Sequence, residues 1–256
     1  MISELSASKV KLLISDMTLD EQVTLIDELK SDARKSVNQL SIKIEKAVIK
    51  RDEEYARLEM MQIFEKEARV NGFVNIAGLD EAGRGPLMGP VVASAVILPE
   101  GCVIEGLDDS KKLSEQKRDA FFEIVNEKAL AIGVGISSHL EIDDINILNA
   151  TKLAMKRAIE DLGISPDYLL IDAVQLTDID IKQEAIIKGD SRSMSIAAAS
   201  IIAKVTRDRI VSDLAEIYPG YGFEKHKGYG TSAHYKAIEE MGITPVHRRS
   251  FLKNIL

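Results

Sequence analysis

Glycine and proline are absent from residues 1–71, and all 16 glycines and 6 prolines lie from Gly72 onward. These are the residues that break helices and shape tight turns. Their partition predicts a helical N-terminal extension over residues 1–70 and a turn-rich domain over 71–256. In the first region Thr18 and Glu21 have the spacing of a capping box, followed by Val23, Ile26 and Leu29 on one helix face. A second helix is expected from about Asp32 to about Arg69. Its apolar positions run from Val37, Leu40, Ile44 and Val48 to Tyr55, Leu58, Met61 and Phe64, at helical spacing with one longer gap. Residues 1–71 carry 12 basic and 14 acidic side chains, interspersed, which reads as a solvated helical hairpin. An accessory that grips substrate is the alternative, and no residue there specifies chemistry.

From Gly72 the pattern is mixed α/β. Strands are expected at Val74–Leu79, Val91–Leu98, Leu130–Ile136, Tyr168–Ile171 and Ala185–Ile187, and helices at Glu115–Lys128, Ile142–Leu162, Ser193–Ile217 and Ala233–Met241. Three strands in near succession, then strands alternating with helices, predict a mixed five-stranded sheet with helices on its faces. The net charge of −8 argues against general adhesion to nucleic acid, although a local basic face or bound cations can hold a polyanion. The longest uncharged run, Gly85 to Pro99, is too short to span a bilayer, so no membrane association is expected. No secretory pattern opens the chain, and the single Cys102 cannot form an internal disulfide. A reducing cytoplasm is the expected location.

Acidic residues end three of these strands: Asp80–Glu81, Asp172 and Asp190. Strand ends are where α/β sheets carry their sites. Alone, Asp190 reads equally well as the cap of the next helix. Asp80 and Glu81 are adjacent, so in a regular strand they face opposite sides, and a bulge or turn is needed to bring both to one site. If all four converge, their mutual repulsion calls for cations. Oxygen-only donors suit Mg²⁺ or Mn²⁺, and a pair of such ions about 3.5–4 Å apart is the device that cleaves phosphodiesters.

The loop that follows, Gly83-Arg84-Gly85, has G-x-x-x-x-G spacing with Gly78 but lacks the Lys and Ser/Thr of a phosphate-binding NTPase loop. It reads as a tight turn, or as a place where backbone approaches a ligand closely beside the carboxylates, with Arg84 offering donors.

Taken together, these residues resemble the ribonuclease HII family. The blocks are G-L-D-E-A-G-R-G-P-L-x-G-P-V-V-A-S-A-V-I-L from Gly78 to Leu98, D-S-K-K-L-S from Asp109, Y-L-L-I-D-A from Tyr168 and K-G-D-S from Lys188. They continue with S-I-A-A-A-S-I-I-A-K-V-T-R-D from Ser195, Y-G-F-x-x-H-K-G-Y-G-T from Tyr221 and H-R-x-S-F from His247. The resemblance covers nearly all of residues 72–251 and implies a ribonuclease H-like fold. It implies an endonuclease for the RNA strand of RNA–DNA hybrids that cuts 5′ to single ribonucleotides in duplex DNA, leaving 3′-hydroxyl and 5′-phosphate ends. The family's catalytic and metal-binding carboxylates fall on Asp80, Glu81, Asp172 and Asp190. Its ribose-reading triplet falls on Gly83, Arg84 and Gly85, and its stacking tyrosine on Tyr229. The sister family, ribonuclease HIII, has valine where this chain has Arg84. A 2′-hydroxyl is what separates RNA from DNA at one nucleotide.

Lys112, Ser191 and Lys204 are further candidates for substrate contact, and Lys111 is weighed beside Lys112. Lys204 and Arg207, three apart on one helix, are placed to meet one nucleic-acid backbone. His226, His234 and His247 match no zinc spacing and are assigned to turns or surface. The chain is expected to act as a monomer, with RNA–DNA hybrid or ribonucleotide-containing duplex as partner. A non-catalytic hybrid-binding protein is the competing reading.

Overall fold

The computed structural model describes residues 2–253. They divide into two compact units, one ending at Glu59 and one beginning at Met60.

The first unit contains helices α1 (Ala7–Ser15), α2 (Leu19–Val23), α3 (Ile26–Ser31) and most of α4 (Lys35–Met60). Thr18 and Glu21 form the expected capping box at the start of α2. Val23, Ile26 and Leu29 do not share one continuous helix. The Thr24 hydroxyl bonds back to the Glu21 carbonyl at 2.7 Å, a contact that bends helices, and the chain restarts at Ile26. Leu29 is buried with Val10, Ile14, Val37 and Ile44, whereas Val23 is exposed.

The second long helix also breaks. α4 ends at Met60 and α5 (Ile63–Val70) begins three residues on. The Met61 carbonyl, which a continuous helix would use internally, accepts the Met194 N–H at 2.8 Å. α5 counts with the second unit.

That unit holds strands β1 (Ile76–Ala82), β2 (Val91–Ile97), β3 (Ala131–Ser137), β4 (Tyr168–Asp172) and β5 (Lys182–Ile186), with helices α6 (Glu115–Lys128), α7 (His139–Asp161), α8 (Met194–Ile217), α9 (Phe223–His226) and α10 (Ser232–Met241). The sheet order is β3-β2-β1-β4-β5. β1, β2 and β3 pair antiparallel, and β4 and β5 lie parallel to β1. This is the expected mixed five-stranded sheet.

Alternation along the strands assigns the two faces. Ala77, Leu79, Leu169 and Ile171 pack with Ala150, Ala154, Met155 and Ala158 of α7. Ile76 and Leu170 point the other way and meet Ile196 of α8. Fourteen residues of α8 are buried, so this helix is the wall against which the second face closes. Its N-terminus is capped by the Ser193 hydroxyl and by Glu65 of α5, whose Oε1 accepts from Ser193 Oγ at 2.7 Å and Ser195 N at 2.9 Å. Among the described residues no helix is long and apolar enough to cross a membrane.

Candidate active site

β1 runs through the acidic pair without a bulge: Asp80 pairs with Ser94 and Glu81 with Ala93 in unbroken register. The bulge or turn that would bring both to one site does not interrupt the pair, and alternation therefore separates the two side chains. Asp80 shares the α8 face with Gly78 and Ile76, while Glu81 falls on the α7 side. On β4 the same rule puts Asp172 with Leu170 on the α8 face. Because Leu79 pairs with Ile171 in the parallel ladder, Asp80 and Asp172 leave neighbouring strands at the same end. Asp190 arrives from the 3-10 turn Gly189–Ser191 just before α8. Since Ser193 caps that helix, Asp190 is not its cap.

The result is a cluster of three carboxylates, Asp80, Asp172 and Asp190, each with an oxygen within 4.8 Å of the others. Asp80 and Asp190 are buried. Burial raises the Asp80 carboxyl well above its usual range, and the Glu81 and Asp172 charges add to it. Asp190 is raised mainly by burial, against the pull of Lys111. Asp172 is oriented by the Gly189 N–H, which donates to its Oδ1 at 2.8 Å.

Glu81 stands beside this cluster rather than in it. Its Oε1 meets Arg84 Nη1 at 3.3 Å, while Oε2 is buried without a hydrogen-bond partner. Burial raises this carboxyl as well, with Arg84 opposing the shift. Crowded carboxylates, an orphaned carboxylate oxygen and an all-oxygen donor set fit hard divalent cations.

Of the candidate lysines, Lys111 reaches the cluster, with Nζ 3.2 Å from Asp190 Oδ2. Lys112 pairs with Asp108 at 2.9 Å. Lys204 is committed to Asp208 at 2.7 Å within α8, and Ser191 Oγ donates to the Lys188 carbonyl at 3.0 Å. Arg207 is not beside Lys204 on an open face; it is 1% exposed. The histidines differ from expectation too, because His234 and His247 are buried in a hydrogen-bonded chain rather than lying at the surface.

The glycine loop and Tyr229 come together. Gly83 adopts φ +96°, and a Cβ there would stand 2.0 Å from Arg207 Nε, so only glycine fits. A Cβ on Gly85 would stand 3.5 Å from Tyr229 Cε1. Tyr229 itself is 45% exposed. A backbone loop and an accessible aromatic face thus sit side by side near the carboxylates.

The family model described as Ribonuclease HII matches residues 77–254. The chain belongs to the ribonuclease HII family. A second model, Ribonuclease HII N-terminal domain, matches residues 6–69. The chain is 54% identical over 251 residues to ribonuclease HII of Clostridioides difficile strain 630, covering 98% of each. It is 49% identical over 255 residues to ribonuclease HII of Acetivibrio thermocellus, covering 100% of each. The crystal structure of ribonuclease H2 from Pyrococcus horikoshii OT3 superposes with a TM-score of 0.58 at 28% identity, over 69% of this chain and 93% of that one. As a member of this family the protein is a metal-dependent ribonuclease H, which removes the non-catalytic reading. Its fold is ribonuclease H-like.

Proposed function

We propose that this protein hydrolyses the RNA strand of RNA–DNA hybrids and cuts 5′ to single ribonucleotides embedded in duplex DNA. The products are a 3′-hydroxyl and a 5′-phosphate. The observation that carries this reading is the convergence of Asp80, Asp172 and Asp190 on one sheet face beside the loop made by Gly83, Arg84, Gly85 and Tyr229.

Asp80, Asp172 and Asp190 would hold two Mg²⁺ or Mn²⁺ ions together with substrate, and Glu81 would turn its unpartnered oxygen to the same task. Bound there, the ions supply water activation and stabilisation of the leaving oxygen. Lys111, held at the cluster by Asp190, brings a positive charge to the phosphate being cleaved. Gly85 leaves room for a ribose against the backbone, and the exposed Tyr229 ring offers a face for the neighbouring sugar. Lys112, Ser191 and Lys204 contribute less directly to substrate binding than Lys111, since each is held by a local partner. The segment before Met60 serves as an accessory that adds affinity for the duplex. Action as a monomer belongs to the same proposal, and a free cysteine fits a cytoplasmic location.

The test is cleavage of a labelled DNA duplex carrying one ribonucleotide, with Mg²⁺, with Mn²⁺ and with chelator, beside Asp172→Asn. A metal-dependent cut 5′ to the ribonucleotide, absent in the variant, is the expected result. Cutting only of long hybrids would overturn the junction reading while keeping the metal chemistry.

A further inference from the structure

Two arginines lie fully inside the second unit, with Arg248 at 0% and Arg207 at 1% exposure. Among the described residues neither has a carboxylate within ion-pair distance. A buried cation without a counter-charge is costly. Burial, with Arg207 close by, lowers Arg248 to about 9, which leaves it charged at neutral pH.

Their donors go to main-chain carbonyls instead, and these belong to one place. Arg248 Nη2 donates to Gly83 O at 2.6 Å and Nη1 to Arg84 O at 3.0 Å. Its Nε donates to Gly89 O at 2.9 Å, and Nη2 also reaches Pro90 O at 3.2 Å. Arg207 donates from Nε to Pro90 O at 3.2 Å and from Nη1 to Lys227 O at 3.1 Å, joining the glycine loop to the segment that carries Tyr229.

A trans peptide unit points its carbonyl and its N–H in opposite directions, and the chain has no cis bonds. Drawing the Gly83 and Arg84 carbonyls onto Arg248 therefore turns the N–H groups of Arg84 and Gly85 outward. Among the described residues neither N–H has an acceptor within the protein.

We infer that Arg248, assisted by Arg207, is a positioning residue that fixes the Arg84 and Gly85 N–H groups as paired donors to the ribose 2′-hydroxyl. The inference rests on the proposed role of this loop at the ribonucleotide. Lysine cannot replace the fork, because one ammonium does not span four carbonyls.

The experiment measures binding of a labelled DNA duplex with one ribonucleotide, and of the same duplex all in DNA, in Ca²⁺ under conditions where neither is cut. Wild type, Arg248→Lys and Arg207→Lys are compared after thermal melting has shown a native transition. The preference of the wild type for the ribonucleotide duplex is expected to fall about tenfold in Arg248→Lys and less in Arg207→Lys, with affinity for the all-DNA duplex nearly unchanged. Equal losses on both duplexes would overturn the inference. A wild type with no preference would overturn the loop reading itself, and a wild type whose preference survives in both variants would overturn only the positioning role. Should the variants not fold, the wild-type Arg248 Nε–H resonance decides. It shifts with the ribonucleotide duplex alone if the inference holds, and equally with both duplexes if it does not.

Discussion

His247 Nε2 lies 3.1 Å from His234 Nε2, and the contacts at either end fix which nitrogen carries each proton. The Thr244 N–H donates to His247 Nδ1 at 2.9 Å, so that nitrogen accepts and the proton sits on Nε2. His247 then donates to His234, whose remaining Nδ1–H donates to the Tyr229 carbonyl at 3.0 Å. Two neutral histidines thus form a directed chain ending on the residue beside the glycine loop.

That chain makes stability depend on pH. Burial lowers both histidines, His247 to about 4. A histidine depressed in the folded state contributes stability that is fully present above its unfolded value of about 6.5 and is lost as pH falls toward about 4. The loss reaches about 1.4 kcal/mol per pH unit for His247. Melting temperature against pH should fall below pH 6.5 in the wild type, and His247→Asn should show a flatter slope there. Parallel curves would sink the assignment.

Asp80 behaves oppositely when no cation is bound. Its carboxyl is raised by burial and by Glu81 and Asp172, so neutralising it relieves strain at neutral pH. With chelator, Asp80→Asn should melt higher than wild type, each kcal/mol gained amounting to about 2–4 °C in a chain of this size. Saturating Mg²⁺ should narrow or reverse the gap, and cleavage should be lost. Melting with and without metal checks the first, and cleavage of the single-ribonucleotide duplex the second.

Lys111 and Lys112 are neighbours with different partners, Asp190 and Asp108. Lys111→Met should lower kcat about tenfold or more through loss of a charge at the site. Lys112→Met should alter it little, since an exposed ion pair contributes about 1 kcal/mol or less. Steady-state kinetics on the single-ribonucleotide duplex separates the two.

Tyr229 is half exposed, so truncation costs the fold little. Tyr229→Ala should cut junction cleavage by about tenfold or more, on the scale of a lost stacking contact, with a melting temperature close to wild type. A large drop in melting temperature would make the residue structural.

Truncation should depend on where the cut is made. Removing residues 1–59 should weaken duplex binding and reduce its salt dependence while leaving metal-dependent cleavage. Removing residues 1–70 also takes Glu65 from the N-terminus of α8, which should cost a further 1–2 kcal/mol or so as a lost cap. Chemical denaturation of the two truncated proteins gives the difference.

What the residues determined by themselves was local. Apolar runs marked the first four strands to within three residues at either end but met β5 (Lys182–Ile186) only at its last two residues, while α6 keeps its expected bounds, Glu115–Lys128. The acidic positions at strand ends were legible because an ionisable residue after a buried run has few other uses. The tertiary structure decided what depends on distant pairing. The parallel ladder of β1 and β4, with regular alternation, sorted Asp80 and Asp172 to the α8 face and Glu81 away from it. It also ended a helix at Met60 because the Met61 carbonyl was taken by Met194. The burial of Arg207 and Arg248 had no local signal, since arginine is ordinarily exposed. Only tertiary approach supplied the carbonyls that hold two guanidiniums inside, those of the 83–90 loop and that of Lys227.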